Sequence, residues 1–189
     1  DGNIISYDAS GDPVAIATGS DGQVLTSTGA GSPPAFETPA GSSMAPAFHA
    51  FLSADASKSE GTNVVIPCAS EIYDTDNAYN TSNYRFTPQT AGKYFVYVQA
   101  RGASTNNNLS DAELYIYKNT TLSGLISWNF QGNSINTATF NTTAVLDMNG
   151  SSDYIEAQMY LHTNGNQNYT LGGHSVRQIT CFGAYKIIT

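Results

Sequence analysis

The sequence predicts an all-β antiparallel sandwich preceded by a short strand-and-turn segment, and three observations carry that expectation. Charged residues make up 12% of the 189 positions, about half the usual share of a soluble domain. In their place stand 17 Asn, 20 Ser and 20 Thr together with 12 Tyr, types that suit pleated strands and hydrogen-bonding loops better than helices. Apolar runs of strand length recur between Asn, Gly and Asp clusters, and no stretch sustains a helical period.

In chain order, residues 1–43 are broken every few positions by Gly, Pro or Asp-Gly. Brief strands are expected at Ile4-Ile5, Val14-Ala15-Ile16 and Val24-Leu25, between turns at Ser10 to Pro13 and Ser20 to Gly22. So small a segment has little to bury and is expected to order against copies of itself or a larger assembly. Pro39 to Pro46 reads as a linker. The domain, residues 44–189, is then expected to hold about ten strands. They are Ala47 to Leu52, Thr62 to Ile66, Tyr84 to Thr87, Lys93 to Arg101, Ala112 to Lys118, Leu122 to Trp128, Thr139 to Asp147, Asp153 to His162, Tyr169 to Leu171 and Thr180 to Ile188.

Two of these strands are unusual. Lys93 to Arg101 presents Tyr94, Val96, Val98 and Ala100 on one face and Phe95, Tyr97 and Gln99 on the other, which a strand with one wet face does not do. Asp153 to His162 sets Ile155, Ala157, Met159 and Leu161 against Tyr154, Glu156, Gln158 and Tyr160. One face of each strand should line the core. The other, carrying Phe95, Tyr97, Gln99, Tyr154 and Tyr160, is expected either to meet a neighbouring subunit or to be covered by a loop.

The balance of 7 Lys plus Arg against 15 Asp plus Glu, net charge -8, excludes a nucleic-acid grip, which needs clustered cations. No apolar run reaches the eighteen or so residues of a membrane span. The chain opens on Asp1 with no readable leader, so processing, excision or a partial chain is expected. Cys68 and Cys181 leave a disulfide and two buried thiols equally open, and do not by themselves make a four-ligand zinc site.

The chain carries no phosphate loop, nucleophile elbow or dinucleotide fingerprint, and His49, His162 and His174 lie far apart in sequence. Glu71, Asp74 and Asp76 are the residues to test as cation ligands or paired acids, but a turn rich in Asp and Asn explains them without either chemistry. No catalytic residue, metal ligand or cofactor is assigned. Six N-x-S/T triplets are close to what composition alone gives. The loops at Asn106 to Asn108, Asn129 to Asn136 and Thr163 to Asn168 gather amides and hydroxyls beside aromatic rings. Trp128, Phe130, Asn133 and Tyr169 are therefore the candidate contacts to a glycan or protein ligand.

The order of motifs carries a resemblance. Pro46-Ala47-Phe48-His49-Ala50 opens the domain, and Tyr84-Arg85-Phe86-Thr87-Pro88 runs through Ala91-Gly92-Lys93-Tyr94-Phe95 into Val98-Gln99-Ala100-Arg101-Gly102. Asp153-Tyr154-Ile155-Glu156 and a closing Phe182-Gly183-Ala184-Tyr185 follow. This resembles the globular head of complement component 1q and its relatives, the C1q-like domains, over roughly residues 45–189. The resemblance implies a ten-strand jelly roll of the tumour necrosis factor superfold assembled as a homotrimer, with Phe86, Pro88, Gly92 and Tyr94 as framework. Some relatives bind calcium near the trimer apex, but no ligand run here allows that to be transferred.

Gly22 to Gly31, followed by Pro33-Pro34-Ala35-Phe36-Glu37, is similar to a segment placed before trimeric terminal domains in bacteriophage tail fibres and other appendages. Together the two resemblances imply a non-enzymatic trimeric virion protein, a head or tail fibre or a capsid decoration. Residues 1–43 would join it to other virion proteins, and the head would trimerise and contact a host-surface glycan or protein. The alternative is a secreted or cell-surface oligomeric binding module. A fibre-borne glycan hydrolase is disfavoured by the missing acid pair.

Overall fold

In the computed structural model, the described residues are 2–38, 44–104 and 108–188. The chain divides into two compact units, residues 1–42 and 43–189. Residues 39–43 of the expected linker, and Asn106 and Asn107 of the expected loop, lie outside the described residues.

The first unit is two hairpins. Strand β1 (Ile4–Tyr7) pairs antiparallel with β2 (Pro13–Ile16), and β3 (Val24–Thr26) with β4 (Ala35–Glu37). The Asp8 carboxylate accepts the Ser10 and Asp12 amides at 2.8 and 3.0 Å, which closes the first turn. Strand β4 was not expected, because a three-residue run after Pro33-Pro34 carries too little alternation to be read. Ile5 and Tyr7 remain 72% and 65% exposed, so this unit buries little by itself.

The second unit is a two-layer sandwich. Its strands are β5 (Ala47–Phe51), β6 (Ala56–Lys58), β7 (Val64–Val65), β8 (Ser70–Asp74), β9 (Tyr79–Asn80), β10 (Arg85–Phe86), β11 (Ala91–Ala103), β12 (Leu109–Lys118), β13 (Thr121–Asn129), β14 (Thr137–Asn149), β15 (Ile155–Thr163), β16 (Tyr169–Leu171) and β17 (Cys181–Ile188). The first sheet runs β13-β12-β15-β10-β9, with β7 also on β15. The second runs β6-β16-β11-β17-β5-β8, with β14 on the other edge of β11. Every pairing is antiparallel, and the all-β sandwich is as the sequence predicts. Each of the ten expected strands is present; β6, β8 and β9 are additional and too short or too polar to signal themselves.

Period-two alternation decides what enters the core. From the second sheet come Phe48, Tyr94, Val96, Val98, Phe182 and Ala184; from the first come Phe86, Leu114, Ile116, Ile155, Met159 and Leu161, all essentially inaccessible. Phe48 is the hub of the core, with its ring centroid 4.4 Å from Tyr79, 4.5 Å from Phe86 and 4.9 Å from Phe182. The expected framework is here: Phe86 and Tyr94 fill the core and Pro88 is buried. Gly92 takes a φ of 145° that side-chain-bearing residues rarely adopt. The Tyr94 hydroxyl donates to the Thr90 carbonyl at 2.8 Å, and burial raises its pKa to about 12.

Candidate functional site

The outward face of the second sheet carries a band of rings. Alternation along β11 turns Phe95, Tyr97 and Gln99 away from the core, and antiparallel register brings β17 and β14 alongside. Tyr185 lies 5.5 Å from Phe95, Phe95 6.4 Å from Tyr97, Tyr97 5.7 Å from His49, and His49 6.2 Å from Tyr73, centroid to centroid. Val145, paired with Phe95, is 56% exposed, and Tyr73 is 44% exposed.

Glycine makes this band possible. A Cβ on Gly183 would fall 2.3 Å from Cζ of Tyr97 and 2.9 Å from the Phe48 carbonyl oxygen, so the bare backbone of β17 is what lets Tyr97 lie across it toward β5. His49 is held at both ring nitrogens, with Nε2 2.7 Å from Gln178 Oε1 and Nδ1 2.7 Å from the Tyr97 hydroxyl. Burial, and then the neighbouring Tyr73, push the Tyr97 hydroxyl well above the usual phenol range. Gln99 Nε2 donates to the Ile179 carbonyl at 3.2 Å. The band is therefore fixed in shape before anything meets it.

The five residues expected at a subunit contact do not share one face. Phe95, Tyr97 and Gln99 are on the second sheet; Tyr154 and Tyr160 belong to β15 and its approach, on the outward side of the first. The Arg85 guanidinium lies 4.0 Å over the Tyr154 ring and also pairs with Glu156 at 2.8 Å. Tyr160 lines a polar cleft with Asp111 and His162.

The loop candidates divide in a similar way. Trp128 is 51% exposed and stacks on Phe130 with 6.3 Å between centroids and 7° between planes, and Phe130 leans on Phe140. Asn133 follows in an exposed turn whose amide donates to the Phe130 carbonyl at 2.7 Å. The Asn164 side chain reaches Ser134 at 2.7 Å, and its amide donates to the Asn108 carbonyl at 2.8 Å, so the polar loops do converge at one end of the sandwich. Tyr169 does not join them. It starts β16, is 1% exposed, and its ring belongs to the core, because alternation in Tyr-Thr-Leu turns Tyr169 and Leu171 inward.

Asp74 is committed to its turn: its carboxylate accepts the Ala78 amide at 3.1 Å and the Tyr79 amide at 2.8 Å. Cys68 and Cys181 are unbridged and buried, and desolvation pushes both thiols up. His174 accepts the Val176 and Arg177 amides on Nδ1 at 3.1 and 3.2 Å, a turn-forming role. Among the described residues, no group of three or more His, Cys, Asp or Glu is placed to hold a metal ion. Sequence reasoning missed His49, Tyr73, Val145 and Tyr185 as members of the aromatic band. Its available signal was Gly183, a glycine inside a strand, which marks a close approach.

No family profile and no curated protein matches this chain. Solved structures do match, each over 75% of the chain. The globular domain of zebrafish complement 1qA protein is 14% identical, covered over 96% of its length with a TM-score of 0.49. Eiger TNF from S. frugiperda is 12% identical, covered over 91%, with a TM-score of 0.49. Murine APRIL is 10% identical, covered over 98%, with a TM-score of 0.54. The fold is thus an antiparallel jelly-roll sandwich, and at these identities the likeness concerns fold alone.

Proposed function

We propose that this chain is a non-enzymatic, self-associating structural protein whose jelly-roll domain packs against copies of itself through the outward face of its second sheet. The observation that carries this reading is the band Tyr185, Phe95, Tyr97, His49 and Tyr73 beside exposed Val145. Rings of this kind, apolar in body and polar at the tip, are enriched where subunits meet. Three copies is the number that the C1q-like resemblance implies. Placement on a virion, as a fibre or decoration protein attached through residues 1–43, rests on the likeness of residues 22–37 to phage appendage segments. Trp128, Phe130 and Asn133 are the surface with which such a protein would touch a host glycan or receptor.

Sedimentation equilibrium of the full chain tests the association: a trimer is expected, and a stable monomer in dilute buffer overturns it. Mass spectrometry of purified particles tests the placement. Absence from particles and recovery from the medium or a cell surface would favour the secreted or surface-bound binding module instead. Changing Trp128, Phe130 and Asn133 to Ala is expected to abolish adsorption with the oligomer intact; undiminished adsorption removes the contact assignment.

A further inference from the structure

We infer that the outward face of the first sheet holds a binding site for a neutral saccharide, in a cleft of 480 Å³ lined by Asp111, Glu113, Ser127, Asn129, Tyr160 and His162, with Gln131 at its rim. Register across three adjacent strands builds it. Ser127, Glu113 and Tyr160 form one row across β13, β12 and β15, and Asn129, Asp111 and His162 form the next. All six residues alternate away from the buried Ala112, Leu114, Met159 and Leu161. A site held on three paired strands keeps its geometry without a ligand, so little ordering opposes binding.

The polar groups are set in place by one another. Asp111 accepts from Asn129 Nδ2 on one oxygen at 2.5 Å and from Gln131 Nε2 on the other at 3.3 Å. Glu113 accepts from Ser127 Oγ at 3.1 Å and from the Tyr115 hydroxyl. The Ser110 hydroxyl donates to the His162 carbonyl at 3.1 Å and lies 3.0 Å from His162 Nδ1, and the ring stands 3.6 Å from Glu60 and 4.0 Å from Asp111. Each carboxylate oxygen has a second lone pair to offer, the Ser127 and Tyr115 hydroxyl hydrogens are already spent on Glu113, and Asn129 Nδ2 and Gln131 Nε2 each carry a second N–H.

This donor and acceptor balance selects the ligand. A molecule that fits must bring several hydroxyl donors to two fixed carboxylates and lay an apolar face against the half-buried Tyr160 ring, which is how a pyranose is built. Glu60, Asp111 and Glu113 repel an acidic sugar or a phosphate. Neutral donors already satisfy the carboxylates in part, which weakens the call for a cation, and no three-ligand metal group is present among the described residues. The cleft lies on the sheet opposite the aromatic band, so its failure as a site would leave the association reading untouched.

The test is amide-detected NMR of the isotope-labelled full chain titrated separately with the methyl glycosides of mannose, galactose, glucose and fucose, with N-acetylneuraminic acid, and with tetralysine. Saturable shifts from at least one neutral glycoside, confined to residues 111–113, 127–131 and 160–162, are expected. The variants Asp111→Asn and Tyr160→Ala, each confirmed by an unchanged spectrum elsewhere, should weaken that binding roughly tenfold or more. Shifts with tetralysine alone would make the cleft a site for basic peptides and overturn the inference. It would also be overturned by no response to any neutral glycoside, or by shifts centred on the turn at Asn133 and Ser134, outside those residues.

Discussion

The two outward faces of the sandwich solve the problem of being wet in opposite ways. On the second sheet, β11, β17 and β5 offer rings, a glycine and one histidine, and the polar tips are turned onto one another: Tyr97 to His49, His49 to Gln178. On the first sheet, β13, β12 and β15 offer carboxylates, amides and hydroxyls that bond laterally and still leave acceptors free. The Tyr residues of this second kind of surface are spaced by charge, as where Arg85 covers Tyr154. The lesson is that tyrosine content alone does not mark an interface. What counts is whether the hydroxyls are consumed within the face, leaving the rings to be covered, or the rings are flanked by groups that water solvates well.

The sharpest way to break this contrast is to charge the ring band. Phe95→Glu would place a carboxylate beside Val145 and Tyr185; sedimentation should show the association constant falling roughly a hundredfold or more, with the fold kept by circular dichroism. An unchanged oligomer would mean that the band is simply an exposed aromatic face. Next in size, Gly183→Ala forces Tyr97 off β17 and sets the new methyl 2.9 Å from the Phe48 carbonyl oxygen, and urea unfolding should register a loss of about 1–3 kcal/mol along with weaker association. A neutral result would show that Tyr97 has room to move.

On the opposite sheet, Arg85→Ala leaves Glu156, whose side chain is 8% exposed, without its cation. Unfolding should lose about 1–2 kcal/mol while the oligomer is unaffected, since Tyr154 is outside the band. An oligomer that dissociated would return Tyr154 to the interface. The smallest effect concerns Asp153, which hydrogen bonds from Lys118 and then from Asn119 and the Asn149 amide hold below the usual carboxylate range. Its folded pKa is the depressed one. Its stabilisation is therefore present above the unfolded value of about 3.9 and lost as pH falls through the folded value. Melting temperatures of wild type and Asp153→Asn should differ at neutral pH and converge in acid; a constant gap would remove the ionised carboxylate from the account.

The ten strongest strands were legible because alternation and turn residues are local. Lys93 to Arg101 announces two apolar faces without any partner, and the structure gives it the longest ladder, thirteen pairs with β14. Less was legible of the sites. Tyr169 heads the expected Tyr169 to Leu171 strand but was grouped with the loop contacts because Asn164 to Asn168 precede it, and the pairing of that strand with Lys58, Ser57 and Ala56 turns it inward. His49, Val145 and Tyr185 meet Phe95 and Tyr97 only through pairings that span dozens of residues of chain.

By itself the sequence determined that the protein is all-β, where its main strands lie, and which residues of each strand share a side. Composition, turn chemistry and a period of two are properties of neighbours along the chain. Only the tertiary structure decided that the outward residues of β11 and those of β15 look in opposite directions. Alternation separates inside from outside, but which of two layers a strand joins is settled by contacts between residues far apart in sequence.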